Sequence, residues 1–148
     1  HSSKLKFHQD ASDNWKMSSK PNFTFWMSLN GATKRKGCLK IIEGSHRYGK
    51  LGNGHFASKS TLQLFKKSKI KYLELKPGEA IIFNNFLLHG SEQNKTLDMR
   101  LAFTVCLMDA KIKHTKSQKR YPKIFGKGSL QYNDIKKITA IPKKTYKI

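Results

Sequence analysis

Cysteine is scarce in this 148-residue chain, with Cys38 and Cys106 alone. Two are too few for a disulfide framework and show no zinc-ligand spacing; both lie in apolar stretches and read as buried thiols. No run approaches 18 apolar residues, which excludes a membrane-spanning helix. No signal-peptide pattern is present, so a cytoplasmic location is expected. No internal repeat is found. Acidic residues are also few, nine Asp and Glu against 30 Lys and Arg, for a formal net charge of +21. What is present is 37% hydrophobic and 11% aromatic residues, enough for the core of one compact domain and too much for wholesale disorder.

The charge invites a nucleic-acid reading, because basic domains bind phosphate backbones by counterion release. Two features weaken it. Arginine, whose fork reads base edges and phosphates, occurs only at Arg35, Arg47, Arg100 and Arg120. The charge is also uneven, since residues 111–148 hold twelve Lys and Arg and one Asp. Residues 1–110 are therefore read as the folded core and 111–148 as a basic C-terminal extension, irregular and solvated.

The core alternates apolar, strand-like runs with Gly, Asn and Pro punctuation. Strands are expected at Leu5–Asp10, Phe23–Leu29, Cys38–Ile42, Ile70–Leu75, Ala80–Phe83, Phe86–His89 and Leu101–Met108. Pro77-Gly78 marks a tight turn. Residues 44–69 read as a long glycine-bearing loop with one helical turn near Thr61–Lys67. No helical pattern recurs between strands, so the fold class is all-β, a barrel or sandwich rather than a βαβ fold.

His8-Gln9-Asp10 is the sharpest chemical feature. Side chains at i and i+2 leave a strand on one face, about 6.6 Å apart, so an imidazole and a carboxylate there can share a metal ion. Gln9 turns to the opposite face, in a supporting role. His89, closing the apolar run Phe86-Leu87-Leu88, is a candidate third ligand. Two His and one carboxylate form the facial triad of non-heme Fe(II) oxygenases, which leaves coordination positions open. Alone, His-x-Asp is weak, since such tripeptides also occur as hydrogen-bonded surface pairs.

Three segments taken together are more specific. Phe7-His8-Gln9-Asp10-Ala11-Ser12, then Gly37-Cys38-Leu39-Lys40-Ile41-Ile42-Glu43-Gly44-Ser45-His46-Arg47, then Leu88-His89-Gly90-Ser91-Glu92-Gln93-Asn94 with Arg100 following, resemble the phytanoyl-CoA dioxygenase family of Fe(II)- and 2-oxoglutarate-dependent oxygenases. The resemblance covers roughly residues 5–108. It implies a double-stranded β-helix, the cupin-like jelly roll, with iron held by His8, Asp10 and His89. It also implies that Arg100 pairs with the far carboxylate of 2-oxoglutarate, a role that suits the arginine fork. Ser91 falls where the family places a hydroxyl on the same carboxylate, and reads equally as a turn serine. Trp26 falls where the family often has an indole beside the cosubstrate; on the residue pattern alone it reads first as core. Thr24 and Asn30 are within reach of the cavity. His46 is read as structural, and His1, His55 and His114 as exposed and without partners.

The chain departs from the family pattern at Glu43, where a proline usually precedes Gly-Ser-His, and at Trp15, which follows His-x-Asp one residue late. Family members usually carry a long segment before His-x-Asp; here seven residues precede His8. Either the chain is a piece of a longer one, or a sheet edge is exposed or covered by a partner.

The resemblance implies hydroxylation of a small organic substrate, with dioxygen consumed and 2-oxoglutarate converted to succinate and CO2. Asp10 favours hydroxylation over halogenation, because related halogenases replace this carboxylate with a small residue. The basic surface would steer an acidic substrate. The rival reading is a non-catalytic cupin-like binding domain, with a basic nucleic-acid module as one form of it.

Overall fold

The computed structural model describes residues 4–11 and 15–129. Among the described residues seven short strands form, β1 (Leu5–His8), β2 (Phe23–Ser28), β3 (Leu39–Ile42), β4 (Ile70–Leu73), β5 (Ala80–Asn84), β6 (His89–Ser91) and β7 (Ala102–Leu107), with one α-helix, α1 (Lys59–Leu64). They assemble into two antiparallel sheets, ordered β1-β6-β3-β4 and β5-β2-β7. Trp26 and Phe83 of the second sheet pack with Leu39 of the first, along with Ala32, Cys38 and Leu87, in a single buried cluster. Two sheets facing each other across an apolar interior make the expected double-stranded β-helix. Among the described residues no helix is long and apolar enough to cross a membrane.

Several boundaries differ from the expected ones, each for a local reason. The first strand stops at His8 rather than Asp10. Past it the Gln9 side chain takes up the neighbouring backbone groups, donating to the carbonyls of Gly49 (2.8 Å) and Phe86 (2.6 Å) and accepting from the Leu51 amide (2.8 Å). The sixth strand begins at His89 rather than Phe86. Phe86 and Leu87 are held in a turn by the Asn84 side chain and carbonyl, and the Leu88 amide donates to the buried Ser45 hydroxyl at 2.8 Å. The helical turn arrives earlier than expected because Ser58 caps it, accepting from the Thr61 amide at 3.0 Å.

A second buried cluster, Ile42, Phe65 and Leu88 with Phe7, Leu51, Ala57 and Leu62 around it, joins strand residues of the four-stranded sheet to α1 and the long loop. A six-residue helix is too short to stand alone; burial of this cluster holds it. Gly90 has a positional reason. A Cβ there would lie 2.6 Å from the Leu5 carbonyl oxygen, so only glycine lets β6 approach β1 closely enough to set His8 opposite His89.

Beyond Lys111 the described residues form no strand or helix. Part of this stretch folds back: Ile112 is buried, the Ser18 amide donates to the Lys113 carbonyl at 2.8 Å, and the Thr115 amide to that of Lys16. Residues 130–148 lie outside the described residues.

Candidate metal centre

His8 ends β1, His89 begins β6, and the register pairs them directly. Their ring centroids are 4.2 Å apart. Asp10 swings in from the turn after β1. One ligand atom from each of the three falls within 4.8 Å of the others, and all three residues are buried. His8 Nε2 is 3.7 Å from Asp10 Oδ1, and His89 Nε2 is 3.6 Å from Asp10 Oδ2. Both separations are too long for hydrogen bonds.

The tautomers follow from the other ring nitrogens. His8 Nδ1 lies 3.0 Å from the Lys6 carbonyl oxygen and His89 Nδ1 lies 2.9 Å from that of Leu87. A carbonyl only accepts, so each Nδ1 carries the proton and each Nε2 turns an unshared pair toward the carboxylate. Burial, with the neighbouring His89, lowers the His8 pKa to about 4, and burial also lowers that of His89. Near neutral pH the triad is two neutral imidazoles and a carboxylate, electron-rich and without a shared proton. A divalent cation is the species that satisfies it, and the donor set fits one.

Asp10 is anchored from the opposite sheet, for the Thr24 hydroxyl donates to Asp10 Oδ2 at 2.6 Å. On β2, Thr24, Trp26 and Ser28 share the inward face and are buried. Two residues along from Thr24, the Arg100 guanidinium lies over the Trp26 ring, 5.6 Å from its centroid. The structure thus makes Trp26 both core and a platform for Arg100. The Arg100 Nε is buried with no hydrogen-bond partner, and burial lowers the guanidinium pKa. A half-buried cation with an orphaned donor fits an incoming carboxylate. Asn30 brackets it, donating to the Met99 carbonyl (2.7 Å) and accepting from the Leu101 amide (2.9 Å). Beside Arg100 opens a cavity of ≈ 460 Å³ lined by Asn94, Thr96, Leu97, Asp98, Met99 and Leu101.

Ser91 is buried on β6, two residues from His89. Two expectations about histidines need correction. His55 is not isolated: the long loop sets it against His8, ring centroids 5.1 Å apart. The cause is the Gln9 clamp on Gly49 and Leu51, which a sequence pattern does not display. His114 also has partners, the amide and hydroxyl of Ser117, each 3.2 Å from its Nδ1. His46 stands exposed in the 3-10 turn Ser45–Tyr48, where its carbonyl accepts from the Gly49 amide; the buried partner in that turn is Ser45. Cys38 is buried as expected, whereas Cys106 is only half-buried. His1 lies outside the described residues. The roles of Thr24 and Asn30 had one trace in the sequence: hydroxyls at 24 and 28 alternate in phase with Trp26, the mark of a polar-lined interior.

Comparison with known proteins places these features in context. The model of the phytanoyl-CoA dioxygenase (PhyH) family matches residues 3–102. A Caenorhabditis elegans phytanoyl-CoA dioxygenase domain-containing protein 1 homolog is 26% identical over 98 residues, 58% of this chain and 34% of the relative. The human peroxisomal phytanoyl-CoA dioxygenase is 28% identical over 87 residues, 53% of this chain and 26% of the relative. The chain thus spans about a third or less of these relatives. Among solved structures, the epimerase SnoN in complex with Fe3+, alpha ketoglutarate and nogalamycin RO superposes with a TM-score of 0.65 at 20% identity, over 80% of this chain and 47% of that one. The non-heme monooxygenase ThoJ in its nickel complex gives 0.59 at 17% identity, over 92% and 55%.

Proposed function

The chain belongs to the phytanoyl-CoA dioxygenase family, and on that premise we propose that it is an Fe(II)- and 2-oxoglutarate-dependent dioxygenase that hydroxylates a small organic substrate. The observation that carries the reading is the buried triad, with two unprotonated Nε2 atoms and a carboxylate converging without a proton between them. His8, Asp10 and His89 would hold the iron. Arg100 would take the far carboxylate of 2-oxoglutarate, supported by its orphaned Nε, with Ser91 and Trp26 beside it. Thr24, which touches Asp10, and Trp26, which lies under Arg100, are two residues apart on one strand face, about 7 Å. A short dicarboxylate spans that gap.

Iron and 2-oxoglutarate together supply the activation of dioxygen: one oxygen atom enters the substrate, the other enters succinate, and CO2 leaves. The chain's own part is positional. The Lys6 and Leu87 carbonyls fix the imidazole tautomers, Asn30 fixes the backbone around Arg100, and the apolar cluster of Trp26, Leu39 and Phe83 keeps water from the interior. A carboxylate at position 10 favours hydroxylation, because a halide would need that coordination place. Residues 1–110 form the dioxygenase core in this reading and residues 111–148 a basic extension, and the positive surface favours an acidic substrate.

Anaerobic addition of Fe(II) and 2-oxoglutarate to the folded chain is expected to give the weak visible charge-transfer band of the chelate. No band, together with no succinate in air, would overturn the proposal. Arg100→Ala is expected to weaken 2-oxoglutarate binding by at least tenfold, in line with the loss of a charge-assisted bond; unchanged affinity would remove Arg100 from its role and leave the metal site standing.

A further inference from the structure

Asp10 lies just past the end of β1, where no ladder holds its backbone, so its carboxylate needs another anchor. Among the described residues the hydrogen-bond donor to it is Thr24, at 2.6 Å to Oδ2 in a fully buried contact. The distance is that of a hydroxyl on a charged acceptor. Thr24 has one hydroxyl proton and gives it to a group that only accepts. Its 3.7 Å contact with Cys106 Sγ therefore has the thiol as donor. The sheet register sets Thr24 directly across from Cys106. The donor line Cys106 to Thr24 to Asp10 is built by paired strands rather than by a loop.

We propose that Thr24 is a positioning residue that turns Asp10 into a one-oxygen ligand, by occupying Oδ2 and leaving Oδ1 for the cation. This rests on the reading of His8, Asp10 and His89 as a divalent metal site. Its consequence is a count of coordination places. Two imidazoles and one carboxylate oxygen leave three of six places on an octahedral ion, whereas a chelating carboxylate leaves two. A cosubstrate that binds through two atoms then uses both, and nothing remains for a third ligand. The hydroxyl of Thr24 keeps that last place available.

The test compares Thr24→Ser with Thr24→Ala, which differ only in the hydroxyl, by titrating the full chain with Co(II). The visible bands of this ion report coordination number without turnover. Thr24→Ser is expected to match the unsubstituted chain in affinity and spectrum. Thr24→Ala is expected to bind 10–100-fold more weakly, the usual loss when a partner behind a metal ligand is removed, with its bands displaced. Thr24→Val, of nearly the original volume, gives the same reading if alanine fails to fold. Equal affinity and identical bands with and without the hydroxyl would overturn the proposal alone. Co(II) uptake that His89→Ala leaves unchanged would overturn the metal reading itself, and the proposal with it.

Discussion

The two sheets bury their outer faces differently. On the four-stranded sheet, the long loop and α1 close over Phe7, Ile42 and Leu88, and a second apolar cluster forms there. On the three-stranded sheet, Phe23, Phe25 and Met27 of β2 alternate outward beside Ile82 of β5 and Phe103, Val105 and Leu107 of β7. Here Ile82 is 64% exposed and Phe103 51%. His8 and His89 both stand on the sheet with a covered back. Thr24 and Trp26 reach the site from the sheet whose back the described residues leave open. Rigidity at a site follows from packing on both sides of its strands, so the covered sheet is the one that fixes the two imidazoles.

The largest expected effect tests that covering directly. Leu88→Ala empties a position only 1% exposed and is expected to cost about 2–5 kcal/mol in urea denaturation. The same truncation at Ile82 is expected to cost far less, and equal losses would break the comparison. Gln9→Ala removes two hydrogen bonds that tie the long loop to the end of β1 beside His8, and a third to the Phe86 carbonyl. About 1–3 kcal/mol is expected, along with faster hydrogen exchange at the Leu51 amide; an unchanged amide would show that the loop is held by its apolar contacts instead.

A pH experiment probes the same sheet. Lys40, buried on β3, is hydrogen-bonded to Glu92 just past β6, and Lys4 lies 3.3 Å from the same carboxylate. The Lys40 hydrogen bond holds the Glu92 pKa below its ordinary value of 4.5. The folded state thus binds this proton less readily than the unfolded chain. The stabilisation is complete above about pH 4.5 and is lost as pH falls through the lower, folded value. Lys40→Met should shrink that acid limb in thermal melts taken between neutral pH and pH 3; an unaltered limb would assign it to other carboxylates. The smallest effect belongs to the open face. Ile82→Lys is expected to change stability by no more than about 0.5 kcal/mol, and a loss of several would mean that this face is buried in solution.

Much of this is legible in the sequence alone. Strand runs such as Phe23–Leu29 and Ala80–Phe83 came within a residue of β2 and β5, because β-branched and aromatic content marks strands locally. The run Phe86–His89 misled: an apolar plug pinned by Asn84 and Ser45 has the same composition as a strand. His8, Asp10 and His89 stand out by residue type and spacing, and Arg100 by the family resemblance, all of which survive without a fold. Sequence alone assigns Gln9 only a supporting role, puts Thr24 and Asn30 within reach of the cavity without a partner, and reads His55 as isolated, since their contacts lie 14 to 77 positions away for the first three and, for His55, in a loop that another side chain holds in place.

By itself the sequence determined the all-β character, the His-x-Asp pair with its distal histidine and arginine, and the surplus of lysine, all properties of composition and short-range order. Only the tertiary structure decided which imidazole nitrogens face inward, which hydroxyl holds the carboxylate, that Arg100 keeps an orphaned donor, and which sheet has its back covered. Those depend on strand register and on loops folded over a sheet. Register is set by contacts between residues far apart in the chain, and so it cannot be read one segment at a time.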